Sequence, residues 1–391
     1  MTSPDATPLP RDFGFGPDEA MLRDIARKFL DEELPVEKLR RLVAGDPAAT
    51  YERGARPPWD ASLWRRIAEL GWSGLAVPEA HGGLGIRMAG IAGLIEEVGR
   101  HALPSPLVAT LDATFALRSA GAAAGPWLAR IADGASASLA IADARGSFEP
   151  GACDVRARAD AGDLVLSGAA HFVQDAFKAD LFVTTARAGG ALLLCVVRAD
   201  AAGVELAQDH IHDLTRDQAT VRLRGVRVPR EGVVGDDAAV ALRSAWPAVL
   251  VTASADLCGT SEWQLQTTVE YARQRKQFDR QLGFFQAVKH PLVDAMVAID
   301  RARSLLYHAA SCIDAGSADA LRAARMAKSA ASDAGAFISD RSVQLHGGIG
   351  FTWECDVHLF FKRSLHNQAL YGDGVYQRSL LADMVIGPRG S

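Results

Sequence analysis

The spacing of apolar residues divides this chain into three stretches. Between residues 17 and 134, apolar side chains recur every three or four positions, which is the period of an amphipathic helix. From about residue 137 to residue 236 the period falls to two, and Gly and Asp turns separate short apolar runs. The helical period returns over longer runs from about residue 238 to residue 384. This pattern predicts an α+β, mostly helical protein with a small central β-sandwich or barrel.

The first predicted helix has recognisable ends. Pro17 suits the first turn of a helix, and Asp18 and Glu19 follow at the positive end of the helix dipole. Pro35 is expected to end this helix. In the middle stretch, the short apolar runs are expected to form strands at residues 164–166, 181–183, 192–197, 204–206 and 221–228.

Three long helices are predicted near the C-terminus, at residues 240–275, 285–313 and 320–345. Long helices with short connections favour an antiparallel bundle, and the stretch up to residue 384 has room for a fourth helix. Pro291 is expected either to kink the second helix or to mark its true start.

Length and composition agree with a multidomain globular protein. The chain has 391 residues, of which 49% are apolar and 23% charged, so it is neither disordered nor a minimal scaffold. We expect three domains: an N-terminal helical domain at residues 1–134, a central β domain at 135–238 and a C-terminal four-helix bundle at 239–391. Residues 1–16 are expected to be flexible.

Charge and cysteine content exclude several classes of protein. The formal net charge of −5 argues against a nucleic-acid partner. Five widely spaced cysteines without a CxxC pair favour neither a disulfide framework nor a zinc site, and no metal is predicted. No apolar run of about 18 residues and no leader pattern is found, so we expect no membrane span and a cytoplasmic location.

Two segments of the third stretch contain residues that could bind a phosphate group. Around Phe278, four cations crowd the predicted end of the first long helix: Arg273, Arg275, Lys276 and Arg280. They form either a solvated helix end that complements the dipole or a clamp for a phosphate group. Residues 344–350 place three glycines in four positions after another long helix. That segment is either a helix cap with a loop or a backbone cradle for phosphate.

Together these segments resemble the acyl-CoA dehydrogenase superfamily of flavoproteins. Its pattern is an R-x-Q-F-G turn, then F-Q, then Q-x-x-G-G-x-G, and residues 275–278, 285–286 and 344–350 match it. Asp279 stands where the turn glycine is usual. Further matching segments lie, in the order of the family, at residues 71–79, 82–85, 96–99 and 226–235.

The resemblance implies the acyl-CoA dehydrogenase fold, with FAD held at a subunit boundary. Arg275 is expected to pair with the pyrophosphate of a neighbouring subunit's flavin, with Gln277 and Phe278 beside the adenosine portion. Further polar and backbone contacts are expected from Gln286, Gln344, Gly347 and Gly348.

The flavin ring is expected to lie against the β domain. Phe172, Val173 and Gln174 occupy the family's W-[IV]-[TS] positions, where a Phe can cover the ring and the following backbone can bond its edge. The family's T-E-P-x-x-G-S-D strand corresponds either to residues 139–144 or to residues 149–154, and we favour the first. Both alternatives lack the threonine hydroxyl.

The reaction implied is α,β-desaturation of an acyl-CoA thioester. In the family a carboxylate removes the α-proton while the β-hydrogen leaves as hydride to flavin N5. The usual Glu of Y-E-G-T-x-Q-I-Q-R is replaced here by Tyr371, and Asp373 stands at the Thr position. Some relatives carry the base on the first long bundle helix, where this chain has Val249.

Three hypotheses follow from the missing Glu. Asp373 serves as the base after a rearrangement of its loop; or a second acyl-CoA dehydrogenase-like chain supplies the acid in a heteromer; or the chain is a flavin-binding or scaffold member with another activity. A catalytically silent subunit that completes the flavin site is the competing class of function. Tyr371 is disfavoured as the base because the reference pKa of tyrosine is about 10.

The resemblance also implies a biological setting. It implies a role in fatty acid or lipid metabolism, an electron-transfer flavoprotein as the electron acceptor, and a homotetramer or heterotetramer.

Overall fold

The computed structural model describes residues 13–44, 59–149 and 151–387. Of the segment expected to be flexible, residues 1–12 lie outside these ranges. The helices that precede the sheet are α1 (Pro17–Glu33), α2 (Val36–Ala44), α3 (Ala61–Glu69), α4 (Met88–Arg100), α5 (Leu107–Arg118) and α6 (Gly125–Ala132).

Local sequence accounts for the start of these helices. Pro17 is the first residue of α1, as predicted, and the helix ends two residues before Pro35. The side chain of Asp60 caps α3 by accepting hydrogen bonds from the backbone N–H groups of Ser62 and Leu63. Helices α4 and α5 are buried over almost their whole length, because α4 packs between α1 and the C-terminal bundle, and α5 packs between the sheet and the bundle.

The middle of the chain forms one connected mixed sheet. Its strands are β1 (Ala137–Ala140), β2 (Arg156–Asp160), β3 (Asp163–Gln174), β4 (Leu181–Ala188), β5 (Ala191–Arg198), β6 (Val204–Gln208), β7 (Gln218–Val228) and β8 (Val233–Gly235). The strand order is β6-β7-β3-β2-β4-β5-β8, and β1 pairs parallel to β4. Each predicted strand lies within one of the strands β3 to β7.

Strand β4 is covered on both faces. Along β4, Leu181 and Val183 face the large core that contains the helices, whereas Phe182 faces a smaller core within the β part. This alternation follows from the period of two in a strand. Strand β3 bends through two irregularities in its pairing with β7, and the second one lies directly before Val173.

The C-terminal part is a helical bundle. Its helices are α7 (Ala238–Gln274), α8 (Gln286–Asp314), α9 (Ala320–His346), α10 (Val357–Ala369) and α11 (Gly374–Val385). Helix α9 packs against the other four, and the stretch expected to hold a fourth helix forms the two shorter helices α10 and α11. Pro291 lies inside α8, five residues after its first residue Gln286, so the prediction that it marks the true start is wrong.

Close packing of α4 on α7 requires glycine at the crossing point. A Cβ atom on Gly259 would lie 1.8 Å from the carbonyl oxygen of Glu96, and one on Gly99 would lie 2.2 Å from that of Asp256. The two glycines therefore let the two backbones touch. The predicted domain boundaries near residues 134 and 238 fall between α6 and β1 and between β8 and α7.

A short hairpin follows α7. Strands β9 (Lys276–Gln277) and β10 (Arg280–Gln281) pair antiparallel, and the two residues between them are Phe278 and Asp279. Both have positive φ, 53° and 57°, as a two-residue turn with two left-handed residues requires.

Helix α7 is long and apolar enough to cross a membrane by length and composition alone. Most of its apolar stretch is buried inside the molecule against α4, α5, α8 and α9.

A buried network of charges joins the sheet to the bundle. Asp256 on α7 accepts hydrogen bonds from Arg363 on α10 and from Arg216, which precedes β7, with N···O distances of 2.6 Å to each guanidinium. Arg216 also contacts Asp175 at 3.3 Å, and Lys178 donates to Asp175 at 2.6 Å. Burial opposes ionisation of Asp256 most strongly, but Arg363 and Arg216 hold its pKa below the ordinary value.

Candidate active site

A cavity of about 630 Å³ lies where the sheet meets the bundle. Its walls come from the loop after β1 at residues 145–149, from Trp246 on α7, and from the end of α10 and the start of α11. Four aromatic side chains share the walls with charged and polar groups: Tyr376, and the mutually packed trio of Phe148, Trp246 and Tyr371. A cavity of this size and lining is typical of a small-molecule site.

Tyr371 forms the buried side of this cavity. Its ring packs edge-on against Phe148 and Trp246, with centroid distances of 5.0 and 5.3 Å. Its backbone has a φ of 60°, which is strained for a residue with a side chain. The ring is 5% exposed, and its hydroxyl donates a hydrogen bond at 2.9 Å to the carboxylate of Asp112.

Asp112, on α5, is a site residue that the sequence analysis missed. Its carboxylate also accepts a hydrogen bond from the Thr252 hydroxyl at 2.7 Å. Burial raises the pKa of Asp112 to about 7, although the hydrogen bonds from Thr252 and Tyr371 and the charge of Arg216 oppose this rise. Burial, and then the neighbouring Asp112, raise the pKa of Tyr371 well above 10.

One sequence feature could have drawn attention to Asp112. It is the sole charged residue among positions 107–117 of a helix that is otherwise built of apolar residues and threonines. Charged groups are almost never fully buried unless they are paired, so a lone Asp in such a helix indicates a partner elsewhere in the chain.

Both positions that the resemblance assigns to the catalytic base are linked to Asp112 by hydrogen bonds, one of them through Thr252. Tyr371 is a hydrogen-bond donor to Asp112, and Val249 is buried one turn before Thr252 on α7. The Thr252 hydroxyl lies 2.8 Å from the carbonyl oxygen of Val249 as well as 2.7 Å from Asp112. The Asp112 carboxylate is therefore linked to both predicted base positions, directly to Tyr371 and through Thr252 to Val249.

Asp373, the predicted base, lies at the edge of the same cavity. Its carboxylate is the N-cap of α11 and accepts a hydrogen bond from the backbone N–H of Tyr376 at 2.8 Å. The side chain is half-buried. Capping occupies one of its two carboxylate oxygens, and its role as a base stays a prediction.

A buried lysine holds the segment that carries Tyr371. Lys328 on α9 donates hydrogen bonds at 3.0 Å to the carbonyl oxygens of Gln368 and Gly372, and burial lowers its pKa to about 7. The side chain of Gln377 donates to the carbonyl oxygen of Tyr371 at 2.7 Å. These contacts fix both sides of the strained residue.

The residues predicted to face the flavin ring lie at the end of β3. Phe172 has a φ of 55° and is 37% exposed, and its ring lies next to Gly146 of the cavity loop. Gln174 is buried, and its side chain donates to the carbonyl oxygen of Phe172 at 3.1 Å. The amide oxygen of Gln174 lies 2.6 Å from His366, whose pKa burial lowers to about 4, so this histidine is neutral at pH 7.

The two segments considered for the T-E-P-x-x-G-S-D strand take different places. Residues 137–140 form β1, and Ala142 pairs with His171 of β3, so residues 139–144 run beside the predicted ring residues. Of the alternative segment 149–154, Pro150 lies outside the described residues. Asp154 accepts a hydrogen bond from the backbone of Ala144 at 2.8 Å, so the two segments are neighbours.

The structure gathers seven of the residues predicted to contact FAD at one end of the bundle. The ends of α7 and α9 meet there, since Tyr271 stacks on His346 with a centroid distance of 4.3 Å. The predicted residues in this region are exposed: Arg275, Gln277, Phe278, Gln286, Gln344, Gly347 and Gly348.

This end of the bundle offers three kinds of group that can contact a dinucleotide: open backbone, a guanidinium and an aromatic ring. No atom lies within 4 Å of a Cβ placed on Gly347 or Gly348, so the backbone there is open to a ligand. Arg275 offers an exposed guanidinium, and Phe278 is 87% exposed and can stack on a base. Within residues 13–44, 59–149 and 151–387, no cluster of three His, Cys, Asp or Glu side chains could hold a metal ion.

Comparison with known proteins gives matches along the chain. Residues 16–134 match the sequence model of the acyl-CoA dehydrogenase N-terminal domain, and residues 251–386 match that of the C-terminal domain. Over 324 residues the chain is 32% identical to acyl-CoA dehydrogenase IpdE2 of Mycobacterium tuberculosis. The matched region covers 82% of this chain and 86% of that protein.

Solved structures share the fold. A variant of the steroid ACAD Tcur3481-Tcur3483 has a TM-score of 0.82 and 26% identity, covering 94% of this chain and 98% of that chain. In the ChsE4-ChsE5 complex of Mycobacterium tuberculosis, one chain has a TM-score of 0.84 and 24% identity, covering 97% of this chain and 100% of that chain. This second likeness shows the fold alone.

Proposed function

Since the chain belongs to the acyl-CoA dehydrogenase family, we propose that it binds FAD and serves the α,β-desaturation of an acyl-CoA thioester, alone or as one chain of a complex. The observation that carries the proposal is the cavity at Tyr371. It is lined by Tyr371, which stands at the position the resemblance assigns to the base, and by Gly146, beside which the ring of Phe172 lies.

The chain's own residues fit the cofactor. Arg275 and the open backbone at Gly347 would contact the FAD of a neighbouring subunit, Arg275 at its diphosphate, and Phe172 would cover the ring of the FAD bound by this chain. When bound, FAD would accept the hydride that leaves the β-carbon of the thioester. The cavity walls would orient the acyl group, and the three mutually packed aromatic rings would exclude water from it.

The substrate class we favour is an acyl-CoA that carries a ring system. One relative of known structure is a steroid ACAD, and the three mutually packed aromatic side chains offer flat apolar walls to a ring. We also propose a role in lipid metabolism in the cytoplasm, with an electron-transfer flavoprotein as the electron acceptor.

An assembly of several chains is part of the proposal. Val293, Met296 and Val297 project from one face of α8 and are each about half exposed, which suits contact with another subunit. The partner is either a second copy or a related acyl-CoA dehydrogenase-like chain. The second kind is supported by the ChsE4-ChsE5 complex, in which two differently named proteins associate.

A catalytically silent flavin-binding subunit is the second candidate function. The observation that favours it is the loss of the carboxylate at both family positions, where Tyr371 and Val249 stand. In that case the chain completes the flavin site, and a partner chain carries out the proton transfer.

The first test is cofactor binding. We expect the purified protein to be yellow and to hold FAD, and Arg275→Gln to weaken FAD binding about tenfold or more, because a charge-assisted hydrogen bond to phosphate is lost. Flavin content and FAD titration measure this. Arg322→Gln is the matched control, because Arg322 is an exposed arginine at the start of α9, away from the site. A colourless protein that does not bind added FAD would overturn the proposal.

An anaerobic titration with a ring-bearing acyl-CoA then separates the two candidates. Bleaching of the flavin in the isolated chain identifies a competent enzyme. Bleaching only after a partner chain is added identifies the silent subunit.

A further inference from the structure

We propose that Asp112 is the proton acceptor that replaces the missing family carboxylate, and that Tyr371 passes the substrate's α-proton to it. The inference rests on the proposed function and names the residues that perform its proton transfer. The observation behind it is a set of contacts: Asp112 accepts hydrogen bonds from Tyr371 and from Thr252, and the Thr252 hydroxyl also lies beside the carbonyl oxygen of Val249.

The position of Asp112 suits an indirect replacement of the missing carboxylate. From α5 it accepts hydrogen bonds from Thr252 on α7 and from Tyr371 in the segment before α11, the two elements to which the resemblance assigns the base. Its side chain is 1% exposed and touches the cavity only through the Tyr371 ring. A proton that leaves a ligand in the cavity therefore reaches Asp112 only by transfer through the hydroxyl of Tyr371.

The two groups have complementary properties. Burial keeps the pKa of Asp112 near 7, so its carboxylate is a competent base at neutral pH. The pKa of Tyr371 lies well above 10, so the phenol does not lose its proton beforehand. Only a transfer in which Tyr371 gains one proton as it gives up another avoids a free phenolate.

The step balances in protons and electrons. The α-carbon–hydrogen bond of the thioester breaks and leaves its electron pair on the substrate. The proton binds the Tyr371 oxygen, the O–H bond of Tyr371 breaks, and that proton binds Asp112, which becomes a neutral carboxylic acid. Tyr371 ends the step as it began, as a neutral phenol.

Other side chains hold this pair in place. Phe148 and Trp246 fix the ring of Tyr371, and Lys328 and Gln377 fix its backbone. The charges that act on the pair are Arg216, which favours the ionised forms of both groups, and Asp175, which disfavours ionisation of Tyr371.

The test is exchange of the α-hydrogens of a bound acyl-CoA with D₂O, followed by mass spectrometry on the FAD-loaded protein. We expect wild type to exchange, and Asp112→Asn and Tyr371→Phe each to lose about 10²- to 10⁴-fold in rate, as for loss of a general base. Asp314→Asn should leave the rate unchanged. Asp314 is the control, because it is also a helical Asp with a raised pKa that accepts hydrogen bonds, but it lies at the end of α8 and is exposed.

A second readout needs neither cofactor nor turnover. Infrared spectroscopy of the protein without FAD should show a protonated carboxyl band that disappears with a midpoint near pH 7, and Asp112→Asn should lack it. In the exchange experiment, the wild-type rate should rise with pH over the same range.

The outcomes separate the inference from the proposed function. If wild type binds FAD but does not exchange, or if Asp373→Asn abolishes exchange while Asp112→Asn does not, the inference is wrong and flavin binding stands. If the protein binds neither FAD nor acyl-CoA, the proposed function itself fails. FAD retention and near-UV circular dichroism show whether each variant is folded.

Discussion

At the scale of single residues, the buried carboxyl group of Asp112 is expected to make the free energy of unfolding depend on pH. Burial inside α5, opposite Tyr371, raises its pKa from 3.8 to about 7. The unfolded chain ionises Asp112 above pH 4, whereas the folded protein keeps the proton up to about pH 7. Between these values the folded state binds more protons, so the free energy of unfolding falls as pH rises and stays lower above pH 7.

This predicts that Asp112→Asn stabilises the protein at high pH. Asparagine has a similar shape and carries no charge, so the variant should exceed wild type in free energy of unfolding by up to about 4 kcal/mol at pH 8. Near pH 4 the two proteins should differ little. Urea unfolding at both pH values measures this, and equal differences at pH 4 and pH 8 would contradict the raised pKa. A gain in stability together with a loss of exchange would fit a functional group kept at the expense of stability.

At the scale of elements, the β9–β10 hairpin depends on the conformation of two residues. Phe278 and Asp279 both adopt positive φ, which costs free energy for any residue except glycine. The related flavoproteins usually have glycine at the second position, whereas this chain has aspartate. The hairpin therefore carries backbone strain beside the residues expected to bind the adenosine portion of FAD.

We expect Asp279→Gly to raise the free energy of unfolding by about 0.5–1 kcal/mol, because glycine removes the strain at φ 57°. Asp279→Ala is the matched variant: it removes the same carboxylate but keeps the Cβ, so it should give no gain or a loss. Urea unfolding of the three proteins distinguishes them. Equal effects of Gly and Ala would attribute the change to the carboxylate and not to the backbone.

At the scale of the whole molecule, the buried charge network around Asp256 joins the sheet to the bundle. Asp256 is fully buried and accepts hydrogen bonds from Arg363, Arg216 and Asn367. Its pKa is lowered in the folded protein, so its contribution is present above pH 4 and is lost as pH falls through the folded pKa.

Asp256→Asn should therefore destabilise the protein by about 3–5 kcal/mol at pH 7, because two buried guanidinium groups lose their shared anion. The loss should shrink in acid, where wild type loses the same charge. Asp333→Asn is the control, because its pair with Arg378 is about half exposed and is expected to contribute no more than about 1 kcal/mol. Thermal and urea unfolding between pH 3 and pH 7 measure both variants. An effect of Asp256→Asn no larger than that of Asp333→Asn would show that the network does not hold the two parts together.

Much of the fold could be predicted from the sequence. The change from a helical period to a period of two and back gave the order of helices, strands and helices, because periodicity is a local property of the backbone. Pro17 marked the start of α1, and the matching segments around Arg275 and Gly347 indicated the family. The resemblance also led to the prediction that Tyr371 and Val249 stand where relatives carry the base.

Only the tertiary structure brought Asp112 to Tyr371, across 259 positions of the chain. No spacing rule predicts that contact, since it depends on how α5 packs against α7 and on the path of the segment before α11. The pKa of Asp112 depends on the same packing, because burial is a property of all the neighbouring elements and not of the residue. The sequence thus determined the local elements and, through the resemblance, the predicted base positions. Packing of distant segments decided which carboxylate is linked to them.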